Sequence, residues 1–238
     1  MNAYVVALRY KVLTSPDRDF HNAPPLNAET PEFIVHLAKD ELVLRPRTRI
    51  ATSEEARAAA ADFIRAWEID AGLRYSAANP FQLVYSGAEI GGTGPQGASL
   101  VGIQEVARMH DECSSHLSHV EYPPPPATAR LSPEAEAIWG RLERYLAGQE
   151  PLLSMAYFCL TTLTQVGGLD VASKKYLIDK RYLSEISRLS STRGDALTAR
   201  KLTQQTQPLT TDEKDWLTKA IKKIVKHLLQ GSPEEWLK

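Results

Sequence analysis

The hydrophobic period of this chain changes at Tyr122-Pro123-Pro124-Pro125-Pro126, from about two residues before the prolines to about 3.6 after them. Strand and helix patterns are thereby assigned to two different modules. Charge divides at the same place: residues 1–126 carry 11 Lys+Arg against 16 Asp+Glu, and residues 127–238 carry 17 against 13. The expectation is an α+β chain: an acidic domain over 1–122 with a mostly antiparallel sheet and one covering helix, a proline-rich linker over 123–129, and a basic all-α bundle of five or six helices over 130–238.

Composition places the chain among ordinary folded proteins, since 43% hydrophobic and 24% charged residues over 238 positions suffice for one large or two small cores. The first fourteen residues alternate and include Arg9 and Lys11, which is not the pattern of a secretory signal. The most apolar run, Leu152 to Val166, is shorter than the ~20 residues of a spanning helix and contains Ser154, Thr161, Thr162, Thr164 and Gln165, so it reads as a core helix. Cys113 and Cys159 fall one in each module and form neither a disulfide framework nor a CxxC pair. These features predict a cytoplasmic protein with no membrane partner and no cofactor.

In the first module, Tyr4, Val6, Leu8, Tyr10 and Val12 fall on one face of a strand, with Arg9 and Lys11 on the other, and a loop follows through Asn22-Ala23-Pro24-Pro25. Phe33–Leu37 and Leu42–Leu44 alternate on either side of Lys39-Asp40, which predicts a hairpin. Thr52 or Ser53 caps a helix over 53–75 with Glu54 and Glu55 in its first turn and Ala56, Ala60, Phe63 and Trp67 as its apolar stripe. Strand patterns resume at Phe81–Tyr85, around Leu100–Met109 and at Leu117–Tyr122.

In the second module, Ser132-Pro133-Glu134 opens a helix carrying Ile138, Trp139, Leu142, Tyr145 and Leu146, which Gly148 ends. A second helix over 150–166 is apolar on nearly every side and belongs at the centre of a bundle. Gly167-Gly168 end it, and Asp170 and Asp179 cap two further helices, the latter with Tyr182, Leu183, Ile186 and Leu189 inward. A capping box from Thr210 to Glu213 opens the last long helix, which buries Trp216, Leu217, Ile221, Ile224, Val225 and Leu228 and stops at Gly231. A short tail helix follows Ser232-Pro233.

Few residues carry a chemical signature. His110, Cys113, His116 and His119 recur every three residues, a zinc-like spacing on a helix, but Ser114, Ser115, Ser118 and the following prolines favour strand and loop, where residues three apart face opposite ways. No metal site is expected there. Gly92-Thr93-Gly94-Pro95-Gln96-Gly97-Ala98-Ser99 approaches a phosphate loop, yet Ala98 stands where the lysine belongs and Pro95 removes a cradling N–H, so a plain loop is the better account. Arg193-Gly194-Asp195 is explained by a helix stop followed by a helix cap. Neither G-x-S-x-G nor H-E-x-x-H occurs.

Charge in the second module is more suggestive. Between Val171 and Gly231 there are 13 Lys+Arg and six acids, and Lys219, Lys222, Lys223 and Lys226 line the side of the last helix opposite its apolar stripe. A lysine face is ordinarily just solvated; here it also suits a phosphate backbone. Arg193, Arg200 and Lys201 extend the candidate binding set.

The run from the apolar helix at Tyr157, through Leu183-Ser184-Glu185-Ile186-Ser187-Arg188-Leu189-Ser190-Ser191-Thr192-Arg193, to Leu209-Thr210-Thr211-Asp212-Glu213 resembles the HEPN-superfamily bundles of bacterial toxin, abortive-infection and RNA-processing systems. An α+β module ahead of such a bundle also resembles some phage-defence proteins. In active HEPN members an arginine, followed four to six residues later by histidine, builds a ribonuclease site, usually across a dimer. Here only Arg193 carries over, because Leu197, Thr198 and Ala199 stand where the histidine would be. The resemblance therefore implies a non-catalytic relative, a homodimer as active members usually are, that binds RNA or another nucleic acid, a nucleotide or a partner protein. The alternative it implies is a ribonuclease centred on Arg193, with His227 the first proton carrier to test.

Overall fold

In the computed structural model, residues 3–14, 18–20, 22–78, 80–92, 99–101, 117–118, 121–126, 131–194 and 207–230 are described. The chain divides into two compact units, Met1–Tyr75 with Asn79–Ala129, and Ser76–Ala78 with Arg130–Lys238. The architecture is α+β.

The first unit contains, in chain order, β1 (Tyr4–Leu13), β2 (Arg18–Asp19), β3 (Leu26–Glu29), β4 (Phe33–Ala38), β5 (Glu41–Pro46), α1 (Ser53–Tyr75), β6 (Gln82–Gly91), β7 (Ser99–Val101) and β8 (Leu117–Ser118). Six of the strands form one sheet in the order β3-β4-β5-β1-β6-β7, antiparallel throughout, and β2 pairs with β8 in parallel. The β4–β5 hairpin forms where the alternation put it. Its register sets Val35 against Leu44 and Leu37 against Leu42, so all four side chains enter the core. The two-residue turn holds Lys39 at φ 51° and Asp40 at φ 59°, the backbone a primed hairpin turn requires.

The face expected for β1 is shifted at its start. Between Val5 and Ala7 the pairing with β6 skips Val6, a bulge that reverses which face each residue meets. Val5, Leu8, Tyr10 and Val12 consequently join the core, while Tyr4 is exposed and Val6 half-buried. Strand β3 was not foreseen, because its alternation spans only Leu26 and Ala28 after two prolines. Of the strand patterns expected beyond residue 91, β7 and β8 are described; residues 102–116 and 119–120 lie outside the described set.

Helix α1 occupies the expected span. Thr52 caps it, its hydroxyl accepting from the Glu55 N–H at 3.2 Å while the Glu55 carboxylate accepts from the Thr52 N–H at 3.3 Å. Ala56, Ala60, Phe63 and Trp67 are fully buried against the sheet, and each of the two aromatic side chains gains about 1.5–3 kcal/mol by leaving water. Phe63 meets Phe33 with ring centroids 5.6 Å apart, and Trp67 meets Phe81 at the same separation. Tyr122 stacks on Phe20 at 5.2 Å and accepts from the Asp40 N–H at 3.1 Å, while the Trp67 indole N–H donates to the Pro123 carbonyl at 2.9 Å. Tyr122 and Pro123 are thus buried parts of this unit.

The second unit consists of α2 (Pro133–Leu146), α3 (Leu152–Thr164), α4 (Leu169–Tyr176), α5 (Lys180–Thr192) and α6 (Thr211–Gln230). Ser132 caps α2 by accepting from the Ala135 N–H at 3.0 Å, Asp179 caps α5 by accepting from the Arg181 N–H at 2.7 Å, and Thr210 and Glu213 close a capping box on α6 at 3.2 and 3.0 Å. Helix α3 packs against all four others and buries Leu152, Leu153, Met155, Ala156, Cys159, Leu160 and Leu163. Cys159 is inaccessible, and burial pushes its thiol up to about 12.

Two expectations are corrected here. Helix α4 starts from Gly168, whose φ of 89° completes the turn out of α3, and Asp170 lies in its first helical turn instead of capping it. On α6, Trp216 and Leu228 are half-buried, whereas His227 and Leu229 are buried. The tail helix expected after Pro233 lies outside the described residues.

Candidate functional site

The arginine singled out in the helical unit is a structural tie. Arg193 ends α5, its backbone N–H donating to the Leu189 carbonyl at 3.1 Å. Its Nε and Nη2 donate to one oxygen of Glu213 at 3.0 and 2.8 Å, and its Nη1 donates to the Gln207 side-chain oxygen at 2.8 Å. The Thr210 N–H, and behind it the Arg193 guanidinium, hold the Glu213 carboxyl below the usual carboxylate range. Arg188 leans toward the same carboxylate at 3.7 Å while pairing with Glu185.

His227 is turned inward. Its Nε2 lies 2.7 Å from the Tyr176 carbonyl, which only accepts, so Nε2 carries the proton; Nδ1 is buried without a hydrogen-bond partner among the described residues. The Tyr176 hydroxyl donates to Glu134 at 2.8 Å, tying α4 to α2.

The lysines of α6 lie opposite Leu217, Ala220, Ile221, Ile224 and Val225, all fully buried. Lys219 and Lys223 are exposed, and Lys222 and Lys226 are half-buried. Lys222 donates to the Ser76 hydroxyl at 2.7 Å, and burial lowers its ammonium from the usual lysine range. Arg200, Lys201, the His110–His119 cluster and residues 93–98 of the glycine-rich loop lie outside the described residues. Among the described residues no group of three or more His, Cys, Asp or Glu is placed to hold a metal, and no single helix is long and apolar enough to cross a membrane.

The amino-terminal unit carries a cleft that sequence reasoning missed. One edge of α1 presents Glu54, Arg57, Ala58, Ala61 and Ile64 at helical spacing, and Tyr10 of β1 with Leu83 and Tyr85 of β6 face it across a cavity of about 530 Å³. The gap exists because Ala58 and Ala61 are too short to fill it. Tyr10 and Tyr85 meet edge to face, centroids 5.7 Å apart, and the Arg57 guanidinium lies 4.3 Å above the Tyr85 ring. Arg57 has no carboxylate partner among the described residues. Tyr10 is only 5% exposed and its hydroxyl makes no hydrogen bond among them, while burial pushes its pKa up to about 12 against the opposing pull of Arg57. The signal in the sequence was an arginine beside two alanines on a helix edge; the tyrosines it meets are far away in the chain.

The other face of the sheet bears a wider hollow of about 760 Å³ lined by Arg9, His36, Glu41 and Arg45 among others. Several of its polar groups pair with one another: Arg9 donates to Glu41 at 2.8 Å and also to Glu89, which raise its pKa, and His36 Nδ1 lies 2.7 Å from Asn27 Oδ1.

No known protein family, characterised protein or solved structure matches this chain.

Proposed function

We propose that this is a non-enzymatic binding protein whose helical unit contacts a polyanion, single-stranded RNA being the first ligand to test. The observation that carries this reading is the stripe along α6, where Lys219 and Lys223 are exposed four residues apart on the side opposite the buried apolar stripe. Lysines so arranged suit phosphate contacts that position a strand without reading its bases. The ribonuclease reading asks more of the site. It needs Arg193 to meet a scissile phosphate and an imidazole to move a proton, and those groups are already bonded to Glu213 and Gln207 and to the Tyr176 carbonyl.

The test is a fluorescence-anisotropy titration of a labelled single-stranded RNA across a salt series, with Lys219→Gln/Lys223→Gln beside the wild type. Each phosphate neutralised on a single strand contributes about −0.7 to the slope of log K against log salt, so loss of two contacts should flatten the slope by about 1.4. Uncleaved RNA throughout is the expected companion result. Affinity indifferent to both salt and the double substitution would remove the proposal.

A further inference from the structure

We propose that the cleft between α1 and strands β1 and β6 is a binding site for a small aromatic monocarboxylate, with Arg57 and Tyr10 holding its carboxylate. This site is independent of the lysine stripe on α6 and stands or falls without it. A cavity of about 530 Å³ is the size of an ordinary small-ligand pocket, and its lining is apolar or aromatic apart from Glu54 and Arg57.

Two polar groups of its lining have no hydrogen-bond partner among the described residues. Arg57 is stacked on Tyr85, which leaves the in-plane N–H groups of a guanidinium for a planar acceptor, and no carboxylate among the described residues supplies one. Tyr10 is more than nine-tenths buried and lines the cavity, and its hydroxyl makes no hydrogen bond among the described residues. An acceptor placed between that hydroxyl and Arg57 would take hydrogen bonds from both, the one to the guanidinium being charge-assisted. Burial keeps that hydroxyl protonated, so it donates.

Charge selects the anion. One guanidinium balances one negative charge, and Glu54, which also lines the cavity, repels a dianion such as a phosphate monoester more strongly than a monocarboxylate. Shape selects the body. Ala58 and Ala61 leave a low wall beside Ile64 and Leu83, and the edge-to-face tyrosines offer ring surfaces to an aromatic group more readily than to a flexible chain, which would also lose conformational freedom on binding.

The experiment uses the full chain and 2-naphthoate as probe, with 2-naphthamide as the neutral isostere, 2-naphthyl phosphate as the dianion and dodecanoate as the aliphatic acid, each titrated calorimetrically. One 2-naphthoate should bind per chain, with the amide, the phosphate and dodecanoate each weaker, the amide by about tenfold or more. Arg57→Gln, a change at an exposed position, should weaken 2-naphthoate by about tenfold, and Tyr10→Phe by several-fold. Lys219→Gln/Lys223→Gln should bind it unchanged, which separates this site from the RNA reading.

In wild-type protein, naphthoate-induced NMR shifts should centre on Tyr10, Arg57, Ala61 and Tyr85, a readout that serves even if a variant fails to fold. The proposal is overturned if 2-naphthoate shows no saturable binding up to about 5 mM, an affinity too weak to count as recognition. It is equally overturned if the amide, the phosphate or dodecanoate binds as well, if Arg57→Gln leaves the affinity unchanged, or if the shifts lie elsewhere.

Discussion

Arg193 and Glu213, twenty positions apart, join the end of one helix to the start of another through charge-assisted bonds. Because Glu213 releases its proton more readily folded than unfolded, this tie supports the fold above the ordinary carboxylate range and is lost as pH falls through the folded value. Arg193→Gln should therefore cost about 1 kcal/mol in urea denaturation at pH 7 and much less at a pH low enough to protonate Glu213 in both folded proteins. An equal cost at both pH values would show that Gln207 and packing hold the joint instead. The arginine itself was legible as a helix-ending residue. Its partner was not, since Glu213 was already accounted for by its capping box and nothing local says that the same carboxylate also takes a guanidinium.

Among the elements, α4 is the one whose ending conflicts with its sequence. It closes on Leu177, held at φ 56° with more than half its surface exposed, a backbone that glycine adopts without penalty. Leu177→Gly should raise the stability of the helical unit by about 0.5–1 kcal/mol in thermal or urea unfolding, whereas a loss would mean that the leucine side chain makes a contact worth more than the strain. Elements announced by local chemistry were readable in advance: the Thr52–Glu55 box fixed α1, Ser132-Pro133 fixed the start of α2, and Lys39-Asp40 fixed the hairpin. Those that depend on distant pairing were not. The bulge at Val6 is defined only by β6, which lies some eighty residues on, and β3 exists because β4 offers it an edge. The cleft was hidden for the same reason, being a space that Ala58 and Ala61 leave unfilled opposite residues of two other elements.

At the scale of the whole molecule, the two units make separate demands on the chain. Tyr122 and Pro123 belong to the packing of the first, so a fragment ending at 126 should melt cooperatively, and one ending at 121 should be less stable by about 2–4 kcal/mol through loss of a buried aromatic ring and of the Trp67 acceptor. Fragments of equal stability would show that the stacked tyrosine adds nothing net. The second unit has a built-in clock. Its central helix sequesters Cys159 from solvent and keeps it a thiol, so a soluble alkylating agent meets a nucleophile only when the helices part. In Cys113→Ser protein, the ratio of the labelling rate in denaturant to that in native buffer becomes a protection factor for this unit alone, expected above about a thousandfold for a domain of ordinary stability. Labelling complete within minutes under native conditions would reveal a bundle that breathes as a unit, and the same thiol would then report how far any bound ligand slows that breathing.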